Sequence, residues 1–320
     1  DLGGSDEGEF FGVESRSRSV RVFGPEGVFS RDFGGVGGGP GEFQTAIAQI
    51  ALRGDSVVLR GYFRFHVFKR DGEFLRSTDL RDHGTPAILG WAPQALLVGV
   101  VALPPHTPLA HRRTVVDTFR IVPVDLTDGS LGDPVLKAPS TPLRWSPDYE
   151  TATGQWLGPR VEAAVRPNGE IYLVNGDDYE IDVFSPEGHL VRSVRALSDR
   201  IPVSQTDFEA ALDGYRSSLG FEEVRELGHP DVRPISGRLL VAPSGRFLMK
   251  RLDLSSLPLP DAEFKETWDL FGPDGRISGR ITTDGNLRLE VLTDEFLYAI
   301  ARDEFDVEYI VRLRTADSGG

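Results

Sequence analysis

One phrase recurs along the chain and limits what the chain can become: an apolar pair, a tight turn ending in glycine, then a second apolar stretch. It reads Val22-Phe23-Gly24-Pro25-Glu26-Gly27-Val28-Phe29 and returns as Val67-Phe68-Lys69-Arg70-Asp71-Gly72-Glu73-Phe74. It appears again as Val183-Phe184-Ser185-Pro186-Glu187-Gly188-His189-Leu190 and as Leu270-Phe271-Gly272-Pro273-Asp274-Gly275-Arg276-Ile277. A weaker copy spans Val124-Asp125-Leu126-Thr127-Asp128-Gly129. Proline presets the first turn dihedral and glycine accepts the positive φ at which the chain reverses, so each copy predicts a β-hairpin.

A second hairpin precedes most copies. In 161–194, strands Val161–Val165 and Glu170–Val174 flank the turn Pro167-Asn168-Gly169, and Ile181–Phe184 and His189–Val194 complete four strands. The same unit fits 45–78, 87–136 with a long middle loop, and 238–281, while 287–313 supplies three more strands. The turn glycines Gly27, Gly72, Gly129 and Gly188 stand 45, 57 and 59 residues apart. Four-stranded antiparallel units at such a period predict an all-β chain, a single β-propeller domain over 1–320 with six blades near 9–33, 45–78, 87–136, 161–194, 238–281 and 287–313. Five blades plus a remnant is the alternative count. The first blade reads as incomplete, and Glu9–Val13 as a strand that completes the last one and hides its edge. Gly188 to Gly275 is longer, 87 residues. There Thr206-x-x-Glu209 is a capping box, Phe208, Leu212, Tyr215 and Leu219 recur at helical spacing, and Gly220 can end the turn, which predicts one short helix over 206–219.

Composition excludes several function classes. A formal charge of −14 repels phosphate backbones and anionic bilayers, so nucleic acid is not an expected partner. The chain has no cysteine, which removes disulfides, thiolate metal sites and a cysteine nucleophile. No apolar run is long enough for a membrane-spanning helix. The sequence starts at Asp1 without methionine or signal-like segment, which predicts a mature chain whose export signal has been removed, working in the periplasm, the cell envelope or outside the cell, as a monomer.

The string Val22-Phe23-x-x-x-Gly27, followed by Gly37-Gly38-Gly39-Pro40-Gly41-Glu42-Phe43, resembles the six-bladed propellers related to NHL repeats. Gly54-Asp55-Ser56-Val57-Val58-Leu59 and Ile171-Tyr172-Leu173-Val174-Asn175 carry the same likeness, which spans about 20–315. It is similar above all to bacterial propellers of the cell envelope, most of them without assigned activity. That group has an Asp after the second strand of a blade; Gly61 and Asn175 stand there instead.

Connectivity places the loops between second and third strands on one face, with the loops that join blades. Function concentrates on such loops. The candidate ligand-binding residues are Tyr62, Arg64, His106, His111, Arg113, Asp177, Asp178, Tyr179, Arg251, Arg302 and Asp303. The plain alternative for His106, His111 and Arg113 is a solvated polar loop; for the acidic pairs it is a solvated turn, although clustered oxygens could hold calcium. No catalytic constellation stands out: there is no Gly-x-Ser-x-Gly elbow, and Gly34–Gly39 lacks the Lys-Ser/Thr of a P-loop. The expectation is therefore a non-catalytic binding or scaffolding module for a protein, peptide or glycan, without a cofactor. The alternative is a hydrolase or lactonase dependent on calcium or another divalent metal. Resemblance to gluconolactonase-like propellers, which hold a metal on the axis with Glu, Asn and Asp, points to Glu162, Asn175 and Asp177 as its nearest residue types.

Overall fold

The protein is seen in a computed structural model. The structure describes residues 2–4, 8–83, 86–101, 114–145, 152–155, 158, 161–174, 176, 178–197, 200–206, 208, 209, 212, 221–252, 265–305 and 307–315. They form six antiparallel sheets in which strands follow chain order from the axis outward. Blade one holds β1 (Leu2–Gly4), β2 (Phe10–Glu14), β3 (Ser19–Phe23) and β4 (Phe29–Gly34); blade two holds β5 (Gln49–Arg53), β6 (Ser56–Arg60), β7 (Arg64–Lys69) and β8 (Phe74–Asp79). Blade three has five strands, β9 (Ala87–Trp91), β10 (Leu96–Val101), β11 (Thr114–Val124), β12 (Leu136–Trp145) and β13 (Ala152–Gly154). Blade four holds β14 (Glu162–Val165), β15 (Ile171–Val174), β16 (Glu180–Phe184) and β17 (Leu190–Arg195). Blade five holds β18 (Ser236–Val241), β19 (Phe247–Arg251), β20 (Lys265–Phe271) and β21 (Ile277–Asp284). Blade six has three strands among the described residues, β22 (Leu287–Leu292), β23 (Phe296–Arg302) and β24 (Glu308–Arg314).

The ring is closed at its axis. Innermost strands touch in the order β1, β5, β9, β14, β18, β22 and back to β1. The six-bladed propeller expected from the repeats is what the chain forms. Two details differ from the sequence reading. Blade one is complete, because Leu2–Gly4 forms its innermost strand; three residues with two glycines carry no strand pattern. Phe10–Glu14 accordingly pairs with β1 and β3 inside blade one and does not complete blade six. The two glycines fit the crowded axis: a Cβ on Gly3 would stand 3.3 Å from the Ile50 and Leu52 side chains, and one on Gly4 would stand 3.1 Å from the Tyr298 ring. Blade three also runs past 136. Its β12 contains Pro139 and Pro142, residues that argue against a strand, and a register shift between Val116 and Thr118 accommodates them.

Of the helix expected over 206–219, Thr206, Phe208, Glu209 and Leu212 are helical, and the rest lies outside the described residues. A further helix, α1 (Phe221–Leu227), packs against β12 and β13. Val224 is buried, and Gly228, at φ 66°, ends the helix by donating to the Val224 carbonyl at 3.2 Å. No described helix is long and apolar enough to cross a membrane.

Each seam between consecutive blades has its own apolar cluster. The seam of blades four and five is the largest, with Tyr172, Ile181, Val183, Phe247, Met249 and Phe271. Among the described residues, the seam of blades six and one is the thinnest: four buried residues, Leu2, Phe10, Tyr298 and Ile300, against six to eleven in the other five. Arginines add a repeated polar latch. Arg31, Arg76 and Arg192, each at the third position of an outermost strand, donate to turn carbonyls of the following blade: Arg70 at 3.2 Å, Leu126 at 2.9 Å and Pro273 at 2.5 Å. Nearer the axis, Arg53 donates to the Ala92 carbonyl at 2.9 Å and Arg166 to the Pro243 carbonyl at 3.0 Å. A hydrogen bond from a charged donor contributes about 1.5–3 kcal/mol when well shielded and less at the rim. The latches thus fix register between blades, while the apolar seams supply most of the cohesion.

Candidate functional site

Among the described residues, the loop-bearing face has a recess over blade two. It is a cavity of about 570 Å³ between the blade-joining loop 35–44 and the β6–β7 turn. The loop is held from within and without. Glu42 accepts from the Gly39 N–H at 2.7 Å, Phe43 N–H donates to the Gly35 carbonyl at 2.8 Å, and Arg18 donates to the carbonyls of Phe43 at 3.2 Å and Gln44 at 2.6 Å. Arg18 does this from φ 51°, a left-handed conformation unusual for a residue with a side chain. Phe43 is buried and meets the His66 ring edge-on, with centroids 4.7 Å apart. The Gly-Pro-Gly loop is therefore a rigid wall.

His66 lines the recess and is only 8% exposed. Its Nδ1 is buried without a hydrogen-bond partner. Burial, helped by the neighbouring Arg64 charge, lowers its pKa to about 4, so the ring is neutral at pH 7. A Cβ on Gly61 would stand 3.7 Å from His66 Nε2 and 3.4 Å from Thr45 Oγ1, in ordinary contact with both. Phe63 lines the recess, and the exposed Tyr62 packs against it edge to face at 4.4 Å. Arg81 and Arg64 share one carboxylate, Asp79, at 2.8 and 3.6 Å. Gln44, Thr45 and Ser77 add neutral polar groups.

The His66 environment has a measurable consequence. A folded-state pKa below the unfolded 6.5 means that the unfolded chain takes up the proton first. The cost is absent above about pH 6.5, grows as the pH falls, and is complete below about 4, where it reaches about 3 kcal/mol. Wild type should lose about that much more stability than His66→Gln between pH 7 and pH 4. Urea midpoints at the two pH values measure it; parallel losses in the two proteins would contradict the assignment.

The other sequence-predicted positions are scattered. Tyr179 is buried and donates its hydroxyl to Asp269 Oδ2 at 2.5 Å; Arg251 donates to the same oxygen at 3.0 Å and lies over the Tyr179 ring at 5.3 Å. Burial and then the Asp269 hydrogen bond push the Tyr179 pKa up, so the group stays a donor. Asp178 pairs with Arg200 at 2.5 Å, and Arg302 with Glu308 at 2.8 Å. Asp303 caps its own turn, accepting from Phe305 N–H, Val307 N–H and Tyr309 O–H, each at 2.9 Å. His106, His111, Arg113, Asn175 and Asp177 lie outside the described residues. Glu162 opens β14, at the axis.

At the opposite end the axis is a channel of about 470 Å³ lined by all six innermost strands. Its wall carries Leu2, Leu52, Ile88, Val165, Val241 and Leu292, with Arg53, Arg70 and Thr293 among its polar groups. Among the described residues there is no cluster of three His, Asp or Glu side chains that could hold a metal ion. The sequence reading picked Tyr62 and Arg64 and missed His66, Arg81, Gln44, Thr45 and Ser77. A signal existed for His66: it interrupts the otherwise apolar run Phe65-x-Val67-Phe68.

Fold and recess together define a six-bladed β-propeller with a polar-aromatic pocket on its loop-bearing face. Among solved structures, the chain is similar to a DUF4221-family protein from Bacteroides vulgatus, at a TM-score of 0.55 and 10% identity over 98% of this chain and 92% of that one. It also overlaps a protein of unknown function from Bacteroides caccae (TM-score 0.45, 12% identity, 96% and 89% covered). Virginiamycin B lyase from Staphylococcus aureus gives a TM-score of 0.46 at 9% identity, with 93% and 89% covered. The Bacteroides vulgatus match shows a shared fold, and a shared fold does not carry function across. No protein-family model and no curated protein sequence matches the chain.

Proposed function

We propose that the protein is a non-catalytic binding module that takes a protein, peptide or glycan ligand in the recess over blade two, without a cofactor. The observation that carries this reading is the recess itself. A neutral, largely buried His66 lines the cavity beside Phe63, whose ring packs edge to face against the exposed Tyr62. Aromatic rims over planar polar groups supply contact area at low entropic cost and suit sugar rings and peptide side chains alike. His66, with its pKa lowered by burial, is a poor general base at neutral pH for the neighbouring Ser77 and Thr45 hydroxyls. The acidic charge of −14 argues against a nucleic-acid ligand. We further place the chain with the NHL-related propellers of the bacterial envelope, working outside the cytoplasm.

Glycan and peptide arrays probed with the intact protein test the proposal. Binding should fall about 10- to 100-fold in Tyr62→Ala and Arg64→Ala, as expected for rim anchors worth about 1–3 kcal/mol. Gly61→Val, which adds bulk against His66 Nε2 and Thr45 Oγ1 beside the recess, should do the same without altering charge. Array hits that all three variants retain would remove the recess from the account. Metal-dependent turnover of lactones or esters would remove the non-catalytic reading.

A further inference from the structure

We infer that the seam between blades two and three holds a separate ligand site, in which Arg60, Arg120 and Lys137 take a phosphate or sulfate group. The site lies on the other side of blade two from the recess. Along β7, Arg64 and His66, which line the recess, alternate with Phe65 and Val67, which face blade three.

Strand register brings the three cations to one seam. Phe65, Val98, Val100 and Val122 belong to a single buried cluster, the core between these two blades. Arg60 on β6 stands directly opposite Phe65, and Arg120 on β11 directly opposite Val100. Cross-strand partners share a face of their sheet, so both arginines point into this seam, one from each blade. Lys137 on β12 is in turn opposite Arg120 and shares its face. Arg60 and Arg120 are half-buried and Lys137 is exposed, so an ion from solution can reach the group.

No opposite charge balances them. Among the described residues, no carboxylate pairs with Arg60, Arg120 or Lys137, and the segment 102–113 that joins β10 to β11 contains no Asp or Glu. This runs against a composition of 49 acidic to 35 basic residues. Arg60 is nevertheless held in place. Its Nε donates to Gln49 Oε1 at 2.7 Å; that oxygen also accepts from Ile88 N–H at 2.8 Å, and Gln49 Nε2 donates to the Ile88 carbonyl at 3.2 Å. The clamp uses one guanidinium nitrogen and leaves the other two as donors. Burial lowers the Arg60 pKa, with no carboxylate beside it to oppose the shift. Arg120 Nε is buried without a partner. Arg120 opposite Lys137 is a like-charge pair, which weakens a sheet. A bound dianion reverses these costs, because it supplies acceptors to the unused N–H groups and cancels the repulsion. A tetrahedral oxyanion suits the site better than a carboxylate: it brings two charges, and acceptors on every side, to donors that come from three strands.

The test is calorimetric titration of the intact protein with inorganic phosphate, inorganic sulfate and acetate, at constant ionic strength and at pH 8, where phosphate is a dianion. Phosphate or sulfate should bind at least about tenfold more tightly than acetate, and the better of the two names the ester group of the natural ligand. Arg60→Gln, Arg120→Gln and Lys137→Ala should each weaken that binding about tenfold, the loss expected for one charged hydrogen bond. Lys137 is exposed, so its variant keeps the fold and reports on binding even where an arginine variant unfolds. Without anion, Arg120→Gln and Lys137→Ala should melt no lower than wild type, because each removes the repulsion between the two; a purely structural pair would show the opposite. Acetate binding as tightly as the dianions, or Lys137→Ala and Arg120→Gln binding phosphate and sulfate as wild type does, would overturn the proposal.

Discussion

Replacing Gly188 by alanine is expected to destabilise the ring by about 3–5 kcal/mol, whereas the same change at Gly27 costs about 1–2 kcal/mol. Both glycines end the same hairpin turn and both hold positive φ, 83° and 77°. The conformational penalty for a side chain is therefore common to the two. They differ in what lies beyond. A Cβ on Gly188 would collide with the Val135 backbone carbonyl of blade three, and backbone cannot rotate away as a side chain can. Blade four would have to move outward and open the cluster around Leu97, Ile121 and Ile171. At Gly27 the added methyl enters open space. Urea midpoints of the two variants read the difference; equal losses would mean that the turn glycines serve backbone conformation alone and that blade spacing does not depend on them.

The second large effect is at Asp269, which is fully buried on β20. It accepts from Tyr179 at 2.5 Å, Arg280 at 2.7 Å and Arg251 at 3.0 Å, tying blade four to blade five. Burial opposes its charge, but the hydrogen bonds from Tyr179, Arg280 and Arg251 outweigh burial and hold its pKa below the ordinary value of 3.8. Asp269→Ala leaves a buried tyrosine hydroxyl and a half-shielded guanidinium without their acceptor, and should cost about 3–5 kcal/mol. The sign with pH follows from the lowered pKa. The contribution is whole above about pH 4 and is lost only as the pH falls through the folded value, so the variant should show its full deficit at pH 7. Denaturant unfolding at pH 7 measures it. A loss under 1 kcal/mol would mean that the three partners find water instead.

Much of the fold was legible because turn chemistry repeats. Pro-x-Gly turns announce a reversal wherever they occur, and their period announced blades. What the repeats could not carry was the geometry between blades. Leu2–Gly4 is too short and too glycine-rich to read as a strand, yet the axis demands small residues there. The arginines of the latch look like ordinary surface charge in sequence; only their neighbours in the next blade give Arg31, Arg76 and Arg192 a common role. The candidate site was half legible for the same reason. Tyr62 and Arg64 sit on a predicted loop, so exposure pointed to them. His66 sits inside a strand, and its pocket is made by a loop from the seam with blade one, more than twenty residues earlier. Tyr179 and Arg251 read as loop residues facing a ligand, and the structure spends both on Asp269.

Ring closure is the claim on which seams, latches and recess all depend, and the absence of native cysteine makes it directly testable. A Cβ on Gly4 would lie 3.7 Å from Thr293 Cγ2, so sulfurs at the two positions can meet once the Tyr298 ring, 3.1 Å away, gives by a few tenths of an ångström. In the double variant Gly4→Cys, Thr293→Cys, mild oxidation of the folded monomer should link the first blade to the sixth, seen as a faster-migrating band on denaturing gels and as a raised melting temperature. If the two thiols stay free in the folded protein and join only after unfolding, the chain does not close on itself between β1 and β22, and the six-bladed account is wrong.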